Sequence, residues 1–244
     1  MKHYTALCTL FLLLSVSLFA QKEEATTSDT PSTGRIVIIS TDFGDMKVLL
    51  YDATPQHRDN FVKLVEAGFY DSLLFHRVIK GFMIQGGDPL SKNADSLQGL
   101  GMGDVGYTVP AEFVDSLYHK KGALCAARTP NPEKASSGCQ FYIVQGQVFT
   151  PEQVNMMELQ QNVKLSDAQK ADYSTVGGTP QLDRAYTVYG QVIEGMEVID
   201  AIADVKTRPG DRPMKDVRMT MKMYKPEPPM SEKEMKKLKK KNRP

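Results

Sequence analysis

The sequence contains no tryptophan, and only three cysteines and four histidines in 244 residues. So few cysteines exclude a disulfide-dense scaffold and a Cys-rich zinc module. A charge excess is also missing: 30 Lys and Arg against 29 Asp and Glu leave +1, which gives no global electrostatic case for nucleic acid. Beyond the first twenty residues no apolar run is long enough to span a bilayer. The remaining balance, 41% hydrophobic and 24% charged, excludes wholesale disorder and leaves room for one large domain or two small ones.

The ends differ from the body. Lys2 followed by ALCTLFLLLSVSLFA, residues 6–20, reads as a secretory signal peptide over 1–20, with an uncleaved anchor as the alternative. Residues 21–34 are rich in Thr, Ser, Glu and Asp and read as a flexible linker. Residues 226–244, PEPPMSEKEMKKLKKKNRP, form a basic tail of net charge +4, and the body between carries −4. A lysine run is usually a solvated end; the other reading, a tether to anionic lipid or nucleic acid, lacks interleaved aromatics.

Periodicity organises residues 35–225. RIVIIST and MKVLLYD flank a Gly turn and predict a hairpin. Thr54 and Pro55 predict a helix start, with Phe61, Leu64 and Val65 on one face and Gly68 near the end. From 73 to 148 short apolar runs broken by Gly and Pro predict strands: LLFHRVI, FMIQGG, YTVPAEF, GALCAA and CQFYIVQG. Thr150-Pro151-Glu152 and Ser166-Asp167 then start two helical patterns. AYTVYGQVI, GMEVIDAIADV and VRMTMKMY close the chain as strand, helix and strand.

FHRVIKGFMIQGGD (75–88), GALCAAR, SSGCQFYIV (136–144) and LDRAYTVYGQV (182–192) occur in one order that resembles the cyclophilin family of peptidyl-prolyl cis-trans isomerases. The resemblance runs from about 35 to 224 and implies a mainly β fold, a closed eight-stranded antiparallel β-barrel capped by helices. Residues 148–178, where many relatives have a short loop, read as a helical insertion.

The implied reaction needs no bond broken. Twisting an X-Pro amide loses resonance against a barrier of about 18–20 kcal/mol. A fixed cation that hydrogen-bonds the prolyl nitrogen only in the twisted state lowers that barrier. Arginine suits this, being permanently charged and rigidly forked. By resemblance Arg77 is that cation, with His76 beside it and Gln85 to orient it. Phe82, Met83, Tyr142 and Leu182 line a proline pocket, Tyr186 stands at its rim, and Gln140 contacts substrate backbone or positions the arginine. The Ala127–Arg128 segment offers backbone groups to the residue before proline. The plainer alternatives are a surface ion pair for Arg77, a structural role for His76 and simple core packing for Phe82 and Met83. His57 and His119 read as surface residues, so neither a metal site nor any cofactor is expected. Cys125 and Cys139 lie on strands that neighbour each other in this family, which leaves a disulfide open in an oxidising compartment.

The sequence thus predicts a secreted or periplasmic, monomeric isomerase that assists the folding of exported, proline-containing proteins. Its partners include no nucleic acid and no membrane span once the signal is removed. The alternative is a chaperone or proline-peptide binding module that acts through the insertion and the tail. It would be favoured if an insertion deletion spared peptide turnover but lost clients. Four positions depart from the family pattern: Gln181 stands where many members carry the Trp that contacts cyclosporin, Tyr186 replaces a His, Tyr142 a Phe and Arg128 an Asn. Cyclosporin should therefore inhibit weakly, because an indole face and N–H donor are gone. Titration of a Gln181→Trp variant should tighten inhibition more than tenfold, about 2 kcal/mol at a binding hot spot. Equal inhibition of both forms would rule residue 181 out as the determinant.

Overall fold

A computed structural model describes residues 35–226. The proposed signal peptide, the linker and the tail from 227 lie outside the described residues. The predicted hairpin forms from β1 (Ile36–Thr41) and β2 (Gly44–Leu50), paired from Ile36–Leu49 to Thr41–Gly44. Gly44 sits at φ 125°, a backbone setting that glycine adopts without steric cost. Helix α1 (Pro55–Glu66) follows and buries Phe61, Leu64 and Val65. Next come β3 (Phe75–Ile79), β4 (Met83–Gly86), β5 (Thr108–Val109), β6 (Ala123–Ala126), β7 (Ser136–Ser137) and β8 (Phe141–Val144). Helices α2 (Pro151–Gln161) and α3 (Asp167–Thr175), β9 (Val188–Glu194), α4 (Met196–Ala203) and β10 (Met219–Met223) complete the order.

Eight strands form one antiparallel sheet in the order β10-β1-β2-β9-β6-β8-β4-β3, curled into a half-barrel. The expected closed barrel is corrected to an open sheet. Its edges, β10 and β3, share no ladder and meet at the single bridge Leu74–Arg218, with backbone bonds between Ser72 and Met219, Leu73 and Met219, and Phe75 and Val217. The reason lies in the segment before β10. Asp211 and Gly210 take positive φ, and Pro213 has no N–H to donate, so this segment gives β3 a single backbone bond, Val78 N–H to the Asp211 carbonyl at 2.8 Å, and no ladder. YTVPAEF supplies only β5, which pairs with β7 in a separate two-stranded sheet and stops at Pro110.

The inner face of the half-barrel holds the main core, including Val37, Ile39, Val48, Phe61, Phe75, Phe141 and Ile199. The outer face of β4, β6 and β8 carries a second apolar cluster: Met83, Ala123, Cys125, Ala127, Tyr142, Val144 and Val188. Burial on both faces explains why FYIV and ALCA are apolar at every position. Helices α2 and α3 each begin with a reciprocal capping box, Thr150 with Gln153 and Ser166 with Gln169, and pack on a small core of Phe149, Val154, Leu165 and Tyr173.

Thr54 stands at the N-cap of α1 as expected, but its hydroxyl makes no capping bond; the Glu112 carboxylate accepts from the backbone N–H of Gln56 and His57 at 3.1 and 2.9 Å. Two expectations need correction, both of histidines. His57 is buried, not on the surface, with Nδ1 2.6 Å from Glu112 and Nε2 3.0 Å from the Ser136 hydroxyl. His119 is also buried, between Asp183 and Tyr142. Cys125 and Cys139 are both free and buried. Their strands do neighbour, but Cys125 sits opposite Tyr142 while Cys139 precedes β8 on the same strand path, so the two thiols are out of register. Thiol titration in denaturant should return both as free thiols; loss of two would establish a bridge.

Glu112 makes the start of α1 pH-sensitive. Burial alone pushes its carboxyl up, but hydrogen bonds from the His57 ring and from two backbone N–H groups hold it below the usual range. A depressed carboxyl contributes stability above its unfolded pKa and loses it as pH falls through the folded value. Glu112→Gln should cost about 1.5–3 kcal/mol at pH 7, the scale of hydrogen bonds to a charged group. The gap from wild type should narrow as pH falls below the usual carboxylate range and through the depressed folded value. Denaturant melts across that range check this.

Candidate active site

A regular strand sends alternate side chains to opposite faces. In β3 the register shifts between Phe75 and Arg77: Phe75 pairs with Gly86, while Arg77 pairs with Gln85. This bulge keeps Phe75 and Val78 in the inner core and places Arg77 and Ile79 on the outer face opposite Gln85 and Met83. The same face continues across the sheet, because Gln85 pairs with Tyr142 and Tyr142 with Cys125. Four strands thus set Arg77, Gln85, Tyr142 and Cys125 in one row.

Polar contacts run along that row. Arg77 Nη1 donates to Gln85 Oε1 at 3.4 Å, and Nε faces the Asp211 carboxylate at 3.4 Å. Gln85 Nε2 donates to Gln140 Oε1 at 3.1 Å, and Gln140 Nε2 donates to the carbonyls of Gly101 and Gly103 at 3.0 and 2.7 Å. Both glutamines therefore have fixed amide orientations, and the Arg77 side chain stays 42% exposed. Two of its five N–H donors face partners among the described residues, which leaves the others for a ligand.

Below the row lies an open cleft of about 490 Å³. Phe82, Met83, Tyr142, Leu182 and Tyr186 give it an apolar wall, and Arg77, Gln85, Ala127 and Arg128 give it polar edges. Tyr186 stands edge-on to Tyr142 at 5.9 Å, and the Arg128 guanidinium lies 4.7 Å above the Tyr186 ring. Arg128 Nε also donates to the Ala185 carbonyl at 3.0 Å. His76 lines the cleft but is buried, and neither ring nitrogen has a partner among the described residues. Burial, opposed by Asp88, lowers its pKa to about 4, so the ring is neutral at physiological pH. Gln140 lies in an adjoining recess with Gln85 and Arg128. Gln181 is exposed and does not line the cleft, although Leu182 beside it does. Among the described residues no group of three or more His, Cys, Asp or Glu side chains is placed to hold a metal ion.

Two cleft segments escaped the sequence reading. The loop 96–102 forms one rim, with Leu97 and Met102 largely exposed. The strap 208–212 adjoins it and continues the rim. Arg208 donates to the Ser96 carbonyl, and Arg212 donates to the carbonyls of Asp95 and Gln98 at 2.9 and 2.8 Å, which staples the two segments together. Buried Asp88 anchors the loop from below by accepting from the N–H of Leu90 and Gly101. The only signal in the sequence was the glycine run 99–106, which reads equally well as a set of turns.

Comparison with known proteins agrees with this geometry. A family model described as cyclophilin type peptidyl-prolyl cis-trans isomerase/CLD matches residues 36–223. A Streptococcus pyogenes protein named as a bifunctional phosphatase/peptidyl-prolyl cis-trans isomerase is 40% identical over 204 residues, or 76% of this chain; the match spans 37% of the relative's length. A Staphylococcus aureus protein named as a peptidyl-prolyl cis-trans isomerase is 36% identical over 192 residues, covering 74% of this chain and 87% of the relative. A solved cyclophilin type peptidyl-prolyl cis-trans isomerase from Cryptosporidium parvum shares the fold, with a TM-score of 0.58 at 24% identity over 79% of this chain and 98% of that one. With its half-barrel, its motifs in order and a family match across nearly all described residues, the chain belongs to the cyclophilin-type peptidyl-prolyl cis-trans isomerases.

Proposed function

We propose that the cleft isomerises X-Pro bonds by the route its residues make available, with Arg77 as the catalytic cation. The observation that carries this reading is the placement of a half-exposed guanidinium, oriented by Gln85 and Asp211, at the edge of an apolar wall of Phe82, Met83, Tyr142 and Leu182. The wall takes the proline ring by apolar contact. The Ala127–Arg128 edge meets the preceding residue, and Gln85 and Gln140 hold the arginine and the flanking backbone. As the amide twists, the prolyl nitrogen regains its lone pair, and an Arg77 N–H donates to it. That bond exists only in the twisted state, so it lowers the barrier without tightening the ground state. No proton changes owner. A neutral His76 therefore serves as a wall and not as an acid.

The polypeptides served are proposed to be exported, incompletely folded chains, met in a secreted or periplasmic setting. The N-terminal composition of residues 1–20 supports that placement. Among the described residues no helix is long and apolar enough to cross a membrane.

Arg77→Ala should leave the fold intact, because the side chain is half exposed and its partners are weakly held. Turnover should fall about 10²–10³-fold, the loss of roughly 2.7–4 kcal/mol from one preorganised transition-state donor. Arg77→Lys should recover little, since a point charge cannot keep contact with Gln85, Asp211 and substrate together. A coupled assay on short X-Pro peptides, read beside circular dichroism, decides it. A folded Arg77→Ala protein with near-normal kcat/KM would overturn the mechanism.

A further inference from the structure

Tyr173 belongs to α3, outside the cleft, and is fully buried. Its hydroxyl donates to Asp183 Oδ2 at 2.6 Å. The other carboxylate oxygen accepts from the His119 backbone N–H at 2.9 Å and lies 2.8 Å from His119 Nδ1. A carboxylate only accepts, so in the neutral ring the proton sits on Nδ1. His119 Nε2 is then an acceptor, and the Tyr142 hydroxyl lies 2.9 Å from it. The two rings also stack, with centroids 6.1 Å apart at 14°. Tyr142 is a wall of the cleft, and Asp183 directly follows Leu182, another wall. One carboxylate therefore connects α3 to both.

The same helix holds the neighbouring segment from the other side. Asp172 accepts from the Tyr118 hydroxyl and from Lys120 Nζ, the latter at 3.1 Å, so α3 binds the residues on either side of His119. The backbone closes the grip, with Thr179 N–H on the His119 carbonyl and Lys121 N–H on Gly177. Gly178 allows the close approach: a Cβ there would stand 2.7 Å from the Tyr173 ring and 2.9 Å from Lys120 Cα.

We propose that Tyr173, Asp183 and His119 are positioning residues that fix the angle of Tyr142, so that the helical segment 151–175 shapes the proline pocket from behind. This rests on the isomerase reading of the cleft. Without the His119 bond the ring is free to tilt from the angle that fits the apolar wall, whether the hydroxyl is left unpartnered or is absent. The relay satisfies the hydroxyl away from the cleft and presents the bare ring face to the ligand. Because these groups do not touch substrate, their effect falls on ligand fit and not on the twisting step.

Tyr173→Phe deletes the first hydroxyl of the relay and keeps the ring that fills the small core. Tyr142→Phe cuts its far end. Each single variant should raise KM for a short Ala-Pro peptide roughly threefold to tenfold, the scale of one buried hydrogen bond, with kcat within about twofold. In the Tyr142→Phe background, Tyr173→Phe should raise KM no further, because the relay is already cut. The His119 ring nitrogen shifts should move in Tyr173→Phe, which a packing role alone would not produce. A lower Tm with unchanged KM, an unchanged KM in Tyr142→Phe, or the same KM rise in both backgrounds would overturn the proposal. If the wild type turns over no X-Pro peptide, the isomerase reading fails separately. Peptide Kd values by titration of the four proteins, compared in the same way, then decide the relay.

Discussion

A strand alternates its side chains, yet β3 must bury Phe75 and Val78 in the inner core and still present Arg77 to the other face. One extra residue, His76, reconciles the two demands by shifting the register against β4. Without that shift Arg77 would point into the apolar interior, where an unpaired guanidinium is prohibitively costly. The rest of the cleft follows from where the bulge leaves Arg77. Gln85 is its cross-strand neighbour, Tyr142 is the neighbour of Gln85, and the amide chain through Gln140 ties the row to the rim loop.

The outer face is unusual for an antiparallel sheet, because it is covered where most such sheets meet water. Its apolar cluster is both the floor of the cleft and a second core. Polar groups there must be satisfied from behind. Tyr142 is held by His119, and burial pushes its hydroxyl and the Cys125 thiol well above their ordinary pKa values. The cleft floor therefore carries no titrating group at neutral pH, in keeping with a reaction that moves no proton.

Much of this was legible in the chain. The β-branched runs, the Thr-Pro and Ser-Asp helix starts and the FHRVIKGFMIQGG element depend on neighbours within a few positions, and their strands and helices formed where the pattern placed them. What failed to read depends on distant partners. His57 is buried because Glu112 and Ser136 reach it from 55 and 79 residues away, and His119 because Asp183 does so from 64. Thr54 stands at the N-cap, but the capping bonds come from distant Glu112, whose charge the helix N-terminus prefers. Closure of the barrel was overread for a related reason: strand count was visible, while the failure of 210–213 to form a ladder along β3 was set by backbone geometry.

The open seam has one more consequence. Asp211, the counter-ion of Arg77, belongs to the strap and not to the sheet. The strap is fastened by side-chain bonds from Arg208 and Arg212, by the bridge Thr207–Pro213 and by one backbone bond from β3, Val78 N–H to the Asp211 carbonyl at 2.8 Å, with no ladder along β3. Such a segment opens at lower cost than any strand beside it. Were it to open, the neutralising carboxylate would leave with it and Gln85 alone would hold the guanidinium. Opening would then bare the Arg77 charge at the loss of one β3 backbone bond, from Val78 to Asp211, while the strand-to-strand ladders of the eight-stranded sheet stay in place.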